Sequence, residues 1–331
     1  MKILFLHAEN TQNNLINDYQ SDLLLHGLRE LYGEDVVDYP GCWHLYGDEV
    51  KKRGFDITEL WGKGFNIKNI LKGYSNINRE DIHSKIRNRF YDLIIFSSCR
   101  RTIKFLEEVI RYENNFIFVD GEDDQFINYD LSLKGLYFKR ELNQYGKNLL
   151  PINFAIPESK IIKEINLNVQ NILAPLIPGK KKTYIYKNEE EYNNMYQNSL
   201  FAITYKKAGW DCYRHYEILM NGCIPIFLNL ESCPKLSMTT LPKKLLIEVN
   251  KNFKKLMDFE NPLKIYKKKF LNLNLFIRYC SNILLGSKIE NLIKNNDQIL
   301  EYKTKLLNFT KTNLTTKLLA KNIIQNINLI K

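Results

Sequence analysis

The sequence predicts an α/β protein in which two domains of similar size face each other across a cleft, followed by a helix-rich C-terminal tail. The chain has 331 residues, more than one domain usually contains, and its hydrophobic content of 44% is enough for two packed cores. On both sides of a connecting segment, short continuous apolar runs alternate with amphipathic segments, as in parallel strands covered by helices. We therefore predict domains at residues 1–162 and 183–331, with a linker at 163–182.

The first predicted domain is a Rossmann-like alternation of strands and helices. Its opening strand, KILFLHAEN, is followed by a helix over residues 19–32 that has leucines at helical spacing and ends before Gly33. Residues 40–78 are irregular and rich in aromatic side chains, and we interpret them as a long functional loop. The remaining predicted elements are helices at 79–90 and 101–112 and the strands DVVDYP, DLIIF, NFIFV, GLYFKREL and INFAIPES, the last of which is either the final strand of the domain or the exit from it.

The second predicted domain follows a linker that contains Pro175, Pro178, Gly179 and three consecutive lysines. The strand KTYIY, a helix over residues 189–197 and the strand SLFAITY then repeat the rhythm of the first domain. From residue 241 the sequence predicts four helices, at 241–259, 260–284, 287–309 and 313–330. This order favours a second Rossmann-like unit that carries a terminal group of helices.

The charge of the chain restricts the classes of partner. There are 48 Lys and Arg residues against 37 Asp and Glu residues, a net charge of +11, which favours anionic partners such as nucleotide phosphates or an acidic membrane surface. The lysines are mostly dispersed, and no zinc-finger, RRM-like or helix-turn-helix signature accompanies them. We therefore expect no nucleic-acid partner.

The cysteine pattern and the N-terminal residues predict the cellular compartment. The six cysteines include no closely spaced pair of metal ligands, which argues against structural zinc and against a disulfide framework. Only ILFL is apolar at the start of the chain, too short a run for a signal peptide or a membrane span. We expect a cytoplasmic protein whose contact with a membrane, if it has one, is peripheral.

The most informative stretch is GWDCYRHYEILMNGCIPIF, residues 209–227, which has the pattern of a loop, a helix, a glycine stop and a buried strand. Asp211 is the predicted N-cap, and Gly222 supplies the left-handed stop after the helix. Arg214 and Glu217 lie three residues apart and so share one face of the helix. We predict that one binds phosphate and the other a sugar hydroxyl; the alternative is an ion pair between the two on the helix surface.

The loop before this helix has the composition of a diphosphate site. The residues YKKAG lead from a predicted strand to the helix N-terminus, where free backbone N–H groups and the helix dipole attract anions. Lys206 would add positive charge, and Gly209 would let the backbone approach a ligand closely. The alternative is a surface loop with ordinary solvated lysines.

Four carboxylates follow a predicted buried strand in the acidic stretch DGEDD, residues 120–124. Crowded carboxylates raise one another's pKa or bind a cation, so this stretch could supply a general base or metal ligands. The alternative is a solvated acidic turn with one aspartate capping a helix. His7 ends the first predicted strand at the same edge of the sheet. Asp120, Asp123 and His7 are therefore our candidate catalytic residues.

The string RHYEILMNGCIPIF, from Arg214 to Phe227, resembles the donor-site motif of GT-B-fold glycosyltransferases. Exostosin-like bacterial transferases have a similar arginine followed by G-C-I-P-V, and family-one-like transferases have a glutamate and a glycine at the spacing of Glu217 and Gly222. The resemblance implies a GT-B fold, a nucleotide-sugar donor and a glycan or lipid-linked acceptor. It also implies that Arg214 contacts the donor diphosphate and that Glu217 contacts the ribose or the sugar, with no cofactor and no bound metal.

The chain departs from this family at one position. Retaining GT-B enzymes usually have a second glutamate eight residues before the helix glutamate, where this sequence has Gly209. The stereochemistry therefore stays open, and an inverting enzyme would need a base from the first domain. Two other functions also stay open: a metal-dependent GT-A-type transferase that uses the carboxylates of residues 120–124, and a non-catalytic nucleotide- or carbohydrate-binding protein.

Overall fold

The computed structural model describes residues 1–9, 18–256 and 296–330. In this part of the chain the strands form two parallel sheets, of six strands and three strands, so the predicted mixed α/β class is confirmed. The strands are β1 Ile3–Leu6, β2 Val36–Tyr39, β3 Leu93–Phe96, β4 Phe116–Asp120, β5 Leu136–Lys139, β6 Leu149–Pro151, β7 Asn171–Leu173, β8 Ser199–Tyr205 and β9 Ile224–Leu228.

The helices of the described residues cover the sheets and form the C-terminal region. They are α1 Tyr19–Tyr32, α2 Gly47–Arg53, α3 Ile82–Arg87, α4 Leu106–Arg111, α5 Tyr129–Lys134, α6 Glu189–Gln197, α7 Tyr213–Met220, α8 Lys243–Leu256, α9 Asn296–Asn313 and α10 Thr316–Ile330. The bounds of α1 and α6 are those predicted, whereas α3 and α4 are shorter than predicted. The helix predicted at 260–284 and the start of the one at 287–309 lie outside the described residues. None of the described helices is long and apolar enough to cross a membrane.

The six-stranded sheet has the order β2-β1-β3-β4-β5-β6, with each neighbouring pair parallel. Its strands β1 and β3 read ILFL and LIIF, and all of their residues are buried because helices cover both faces. The register of the parallel strands places Asp120 beside Lys139. Of the two interpretations of INFAIPES, the strand is wrong, since β6 ends at Pro151 and only Ile156 of that string forms a bridge, with Thr315; the string is the exit from this sheet.

The three-stranded sheet has β8 at its centre, between β7 and β9. Pro225 lies in β9, which is an edge strand of this sheet, where a missing backbone N–H is tolerated. The strand β7 lies within the segment predicted as a linker, while the predicted strand KTYIY is instead a 3-10 turn at Lys181–Thr183 followed by an irregular segment. The middle of that segment is exposed to solvent, and Ile185 is 68% exposed.

The chain returns from its second sheet to the first through α10. We call residues 1–9 and 18–162 the N-half, and residues 163–256 and 296–330 the C-half. Helix α10 packs along α1, and a Cβ at Gly27 would lie 1.9 Å from the backbone oxygen of Thr316, so only glycine allows this approach. The side chains of His26 and Thr316 hydrogen-bond at 2.8 Å. The two halves are therefore joined at a close helix contact as well as by the connecting chain.

Residues 40–78, predicted as a long loop, are largely packed rather than free. They form α2 and several short 3-10 turns, and Tyr46 belongs to the core of the N-half. Phe65 and Ile67 instead belong to hydrophobic clusters of the C-half. The segment thus extends from one half to the other, and its residues 62–68 lie beside the cleft described next.

Candidate functional site

A cleft of about 530 Å³ lies between the two halves, at the carboxyl ends of β4 and β8. Parallel α/β sheets usually bind ligands at this edge. The N-half side of the wall includes Asp18, Gln20, Arg101, Glu122, Asp123, Arg140 and Phe154, and the C-half side includes Tyr184, Tyr186, Tyr192, Lys207, Gly209, Asp211, Arg214 and Glu217. Residues Gly62, Lys63 and Phe65 of the long segment also line it.

Helix α7 carries the central residues of the C-half wall. Tyr213, Tyr216 and Leu219 of this helix are buried in the core, and the left-handed Gly222 follows its end. The predicted N-cap is wrong: Cys212 occupies that position, without a side-chain cap. The carboxylate of Asp211 instead accepts hydrogen bonds from other groups where the two halves meet.

Asp211 connects the C-half wall to the N-half. Its carboxylate accepts hydrogen bonds from the backbone N–H of Phe154 at 2.9 Å and from the hydroxyl of Tyr216 at 2.8 Å, and its carbonyl oxygen accepts one from Arg140. Because the side chain is buried, the pKa of the Asp211 carboxyl rises to about 6. These contacts hold the entrance of α7 against the N-half.

Arg214 is a buried cation with incomplete hydrogen bonding. It is 8% exposed, and its guanidinium donates one hydrogen bond, from Nη2 to the hydroxyl of Tyr184 at 3.0 Å. Its Nε and Nη1 atoms are buried with no partner among the described residues. An arginine stays charged at physiological pH, and buried guanidinium N–H groups without acceptors are disfavoured, even though the nearby Glu217 carboxylate interacts with the charge. The oxygens of an anion in the cleft would supply the missing acceptors.

Glu217 lies one turn further along the same face, but it does not pair with Arg214. Its Oε1 accepts a hydrogen bond from Nδ2 of Asn66 at 3.0 Å, and its Oε2 accepts one from the hydroxyl of Tyr192 at 2.7 Å. Burial raises the pKa of its carboxyl. The alternative of a surface ion pair between Arg214 and Glu217 is therefore wrong, because both residues are buried and have other neighbours.

The residues of the loop before α7 have different surroundings. Lys206 is exposed and lies over the ring of Trp210, with its Nζ 5.4 Å from the centroid, whereas Lys207 lines the cleft. A Cβ at Gly209 would lie 2.6 Å from Oε1 of Glu141, so any other residue here would displace the Glu141 side chain. The Glu141 carboxylate accepts hydrogen bonds from the backbone N–H groups of Trp210 and Asp211 at 2.9 and 2.8 Å.

The acidic stretch of residues 120–124 is neutralised by cations from its own half. Asp120 is fully buried, with Nζ of Lys139 at 2.9 Å and the hydroxyl of Tyr137 at 2.6 Å, and its side chain is not part of the cleft wall. Asp123 does line the cleft and pairs with Arg140. Among the described residues, no group of three or more His, Cys, Asp or Glu side chains is arranged to hold a metal ion.

His7, the third candidate catalytic residue, is buried at the end of β1 and does not line the cleft. Burial lowers the pKa of its imidazole to about 4, and its Nε2 has no hydrogen-bond partner in the part of the chain described. The structure therefore brings together Asp123, Gly209, Arg214 and Glu217 in the cleft wall. It leaves Asp120 and His7 in the interior and Lys206 beside Trp210.

Sequence reasoning missed several residues of the wall. Asp18 is the N-cap of α1; its carboxylate accepts from the N–H groups of Gln20 and Ser21 at 3.1 and 3.2 Å and from the hydroxyl of Ser98 at 2.9 Å. Its position before a helix was a usable signal. Burial raises the pKa of its carboxyl. The contact of Asn66 with Glu217 had no such signal, because it joins residues 151 positions apart.

Comparison with known proteins identifies one similar fold. No protein-family model matches the chain, and no curated protein matches it. The crystal structure of a glycosyltransferase from Rickettsia africae ESF-5 is similar, with a TM-score of 0.51 and 11% sequence identity, over 99% of this chain and 98% of that one. The likeness is one of fold.

Proposed function

We propose that the protein is a glycosyltransferase of GT-B-like architecture, which binds a nucleotide-sugar in the cleft and transfers the sugar to a glycan or lipid-linked acceptor. In this proposal the C-half holds the donor and the N-half faces the acceptor. The Rickettsia africae protein of similar fold is described as a glycosyltransferase, which agrees with the proposal. The cleft, at about 530 Å³, has the size of a pocket for a small organic ligand.

The observation that carries the proposal is the state of Arg214. This cation lines the cleft, is nine-tenths buried and has two guanidinium nitrogens without a partner in the described chain. The diphosphate of a nucleotide-sugar supplies both the negative charge and the acceptor oxygens that these nitrogens lack. Lys207 lies in the same wall and would add a second positive charge.

Glu217 supports the same donor. Each of its carboxylate oxygens accepts one hydrogen bond from the protein and so keeps capacity to accept another. The vicinal hydroxyl groups of a ribose are donors at a suitable spacing for the two oxygens. A nucleotide with its diphosphate at Arg214 and its ribose at Glu217 would therefore satisfy both residues.

For the transfer step we propose Asp18 as the general base. Of the three predicted candidates only Asp123 lines the cleft, and Arg140 already neutralises it. Asp18 lies in the same wall and accepts hydrogen bonds from neutral groups, and the nearby Arg101 pairs with Glu122 instead. It would take the proton of the acceptor hydroxyl as that oxygen bonds to the anomeric carbon and the bond from this carbon to the diphosphate breaks. The diphosphate leaves with the bonding electrons, beside Arg214.

Nucleotide binding tests the proposal directly. We expect calorimetry with UDP, GDP, CMP and their sugars to detect binding of at least one nucleotide, and we expect Arg214→Met to weaken that binding at least tenfold, because a hydrogen-bonded charge is lost. Arg111→Met is the matched control, since Arg111 is exposed at the end of α4. Failure of every nucleotide to bind the wild-type protein would reject the proposal, as would equal affinity in the Arg214 variant.

A non-catalytic nucleotide-binding protein is the second candidate. It is favoured by Glu141, which fills the space next to Gly209 where a retaining enzyme would carry its second glutamate. Tight binding of an intact nucleotide-sugar without release of nucleoside diphosphate, across a broad screen of acceptors, would favour this candidate. The metal-dependent alternative gains no such support, because the carboxylates of residues 120–124 are paired with lysine and arginine side chains.

A further inference from the structure

Residues 62–68 belong to the N-half by sequence but are built into the C-half. Nζ of Lys63 donates a hydrogen bond to the backbone oxygen of Tyr186 at 2.7 Å. The ring of Phe65 packs on that of Tyr192, with the two centroids 5.4 Å apart, and Ile67 is fully buried in the C-half core. This segment therefore forms a fixed part of the wall next to α7.

Asn66 is the most tightly held residue of the segment. It is fully buried, and its four polar groups all have partners in the C-half. Its N–H donates to Glu189 at 2.9 Å, its carbonyl oxygen accepts from Tyr213 at 3.4 Å, and its Oδ1 accepts from Asn193 at 2.8 Å. The fourth group, Nδ2, donates to Oε1 of Glu217 at 3.0 Å. The side-chain amide cannot rotate without breaking its two hydrogen bonds, to Asn193 and Glu217.

This arrangement fixes the carboxylate of Glu217 through a residue that does not line the cleft. Glu217 is part of the cleft wall and Asn66 is not, so a ligand at the carboxylate need not touch the amide. The other oxygen of Glu217 is held by the hydroxyl of Tyr192 at 2.7 Å. Two donors, one on each oxygen, set the rotation of the carboxylate and leave the remaining lone pairs for a ligand.

We propose that Asn66 is the positioning residue that makes this cleft selective for ribonucleotides, by holding Glu217 so that its carboxylate accepts hydrogen bonds from the ribose 2′- and 3′-hydroxyl groups. The inference rests on the proposed nucleotide-sugar site. It goes beyond that site because it assigns the sugar selectivity of the nucleotide to a residue from the other half of the chain, which does not touch the ligand.

The test compares each nucleoside diphosphate with its 2′,3′-dideoxy analogue. We expect the wild-type protein to bind UDP or GDP at least about tenfold more tightly than the dideoxy form, because a charged acceptor would otherwise be left without its donors. Asn66→Gly removes the amide and keeps the left-handed backbone, which has a φ of 65°. In this variant the preference should fall to less than about threefold, through weaker binding of the ribonucleotide.

Asn69→Gly is the matched control. Asn69 is an asparagine of the same region, with a φ of 51°, but it is exposed and does not touch Glu217. Its variant should keep the wild-type preference. Loss of the preference in both variants, or its persistence in Asn66→Gly, would overturn the inference while leaving the proposed function standing. If the wild-type protein binds neither form of any nucleotide, the proposed function itself fails.

A second variant and a pH profile separate positioning from general damage. Tyr192→Phe removes the donor on the other oxygen of Glu217 without changing the backbone, and it should lower the ribose preference in the same way. Loss of the Asn66 amide should also raise the pKa of Glu217 further, since this amide stabilises the charged form. The acid limb of the affinity profile should therefore move to higher pH in Asn66→Gly and not in Asn69→Gly. An unchanged acid limb in Asn66→Gly would contradict the positioning role.

Discussion

Two charged regions, residues 120–124 and the wall around Arg214, both follow buried strands, and their charges are balanced in different ways. In the acidic stretch the buried Asp120 lies 2.9 Å from Nζ of Lys139, and its acidic neighbours pair with arginines. Arg214 is almost as deeply buried, but its only hydrogen-bond partner in the described chain is the neutral hydroxyl of Tyr184. The carboxylates of the acidic stretch all have cationic partners without a ligand, whereas two nitrogens of Arg214 have no acceptor in the described chain, although the Glu217 carboxylate is near enough to interact with its charge.

The difference shows which kind of charged cluster points to function. Opposite charges that are buried together satisfy each other, and their main role is to avoid the large penalty of an isolated buried charge. Buried guanidinium donors that lack acceptors carry a cost in the free protein, and an anionic ligand would remove that cost. Sequence composition ranks the two regions the other way, because four carboxylates in five residues are the more conspicuous pattern.

The largest expected effect is the loss of stability in Lys139→Met. This change leaves the fully buried Asp120 without its closest cation, and removing one partner of a buried pair typically costs about 3–5 kcal/mol. Arg214→Met should instead change the free energy of unfolding by less than about 1 kcal/mol, because removal of the unpartnered donors offsets the lost interaction with the Glu217 carboxylate.

Denaturation with urea at neutral pH measures both variants, with Lys134→Met as a control at an exposed lysine of α5. If Arg214→Met and Lys139→Met destabilise the protein equally, the contrast between the two regions is wrong.

The next effect concerns Asp211 and the dependence of stability on pH. Its pKa is raised to about 6 in the folded protein, so the group favours folding below its unfolded pKa near 4 and loses that contribution as the pH rises through about 6. Asp211→Asn, which cannot ionise, should gain about 2 kcal/mol relative to the wild type between pH 4 and pH 7.

The measurement is the difference in unfolding free energy between the two proteins at several pH values. Asp130→Asn, at an exposed position of α5, should show no such trend. A difference for Asp211→Asn that is constant with pH would exclude the raised pKa.

The smallest expected effect distinguishes the proposed catalytic roles of two carboxylates in the N-half wall, those of Asp18 and Asp123. Asp18→Asn should lower turnover about a hundredfold, the lower end of what a general base contributes, while asparagine keeps the N-cap of α1. Asp123→Asn should have a much smaller effect, because Arg140 already neutralises Asp123. Release of nucleoside diphosphate from the bound nucleotide-sugar, in the presence of an acceptor mixture, measures turnover. The opposite ranking would move the base to Asp123.

Local patterns were enough to predict much of the fold. Helix α1 has leucines at helical spacing and a clear stop at Gly33, and β8 is a continuous apolar run, so burial and capping alone define them. The strand β7 has only three residues and is not part of a strong apolar run. It forms because it pairs with β8. Such an element is specified by its neighbour rather than by its own sequence.

The site was predictable only where its residues lie close together in sequence. Arg214 and Glu217 share a helix face by their spacing, and the prediction that both face a common site could be made from that. The roles of Asp120 and Gly209 could not be predicted in this way, because the residues that contact them, Lys139 and Glu141, come from other strands and loops. Asp211 has the sequence position of an N-cap, but its carboxylate accepts a hydrogen bond from the backbone N–H of Phe154 in the other half.

The packing of α10 on α1 has a consequence for synthesis of the protein. His26 and Thr316, which meet at this contact, are 290 positions apart in the chain. A ribosome that adds about 5–20 residues per second needs roughly 15–60 s to make the intervening residues. During that interval the face of α1 around Gly27 lacks the helix that covers it in the folded protein. The N-half can reach its final buried state only after α10 has emerged.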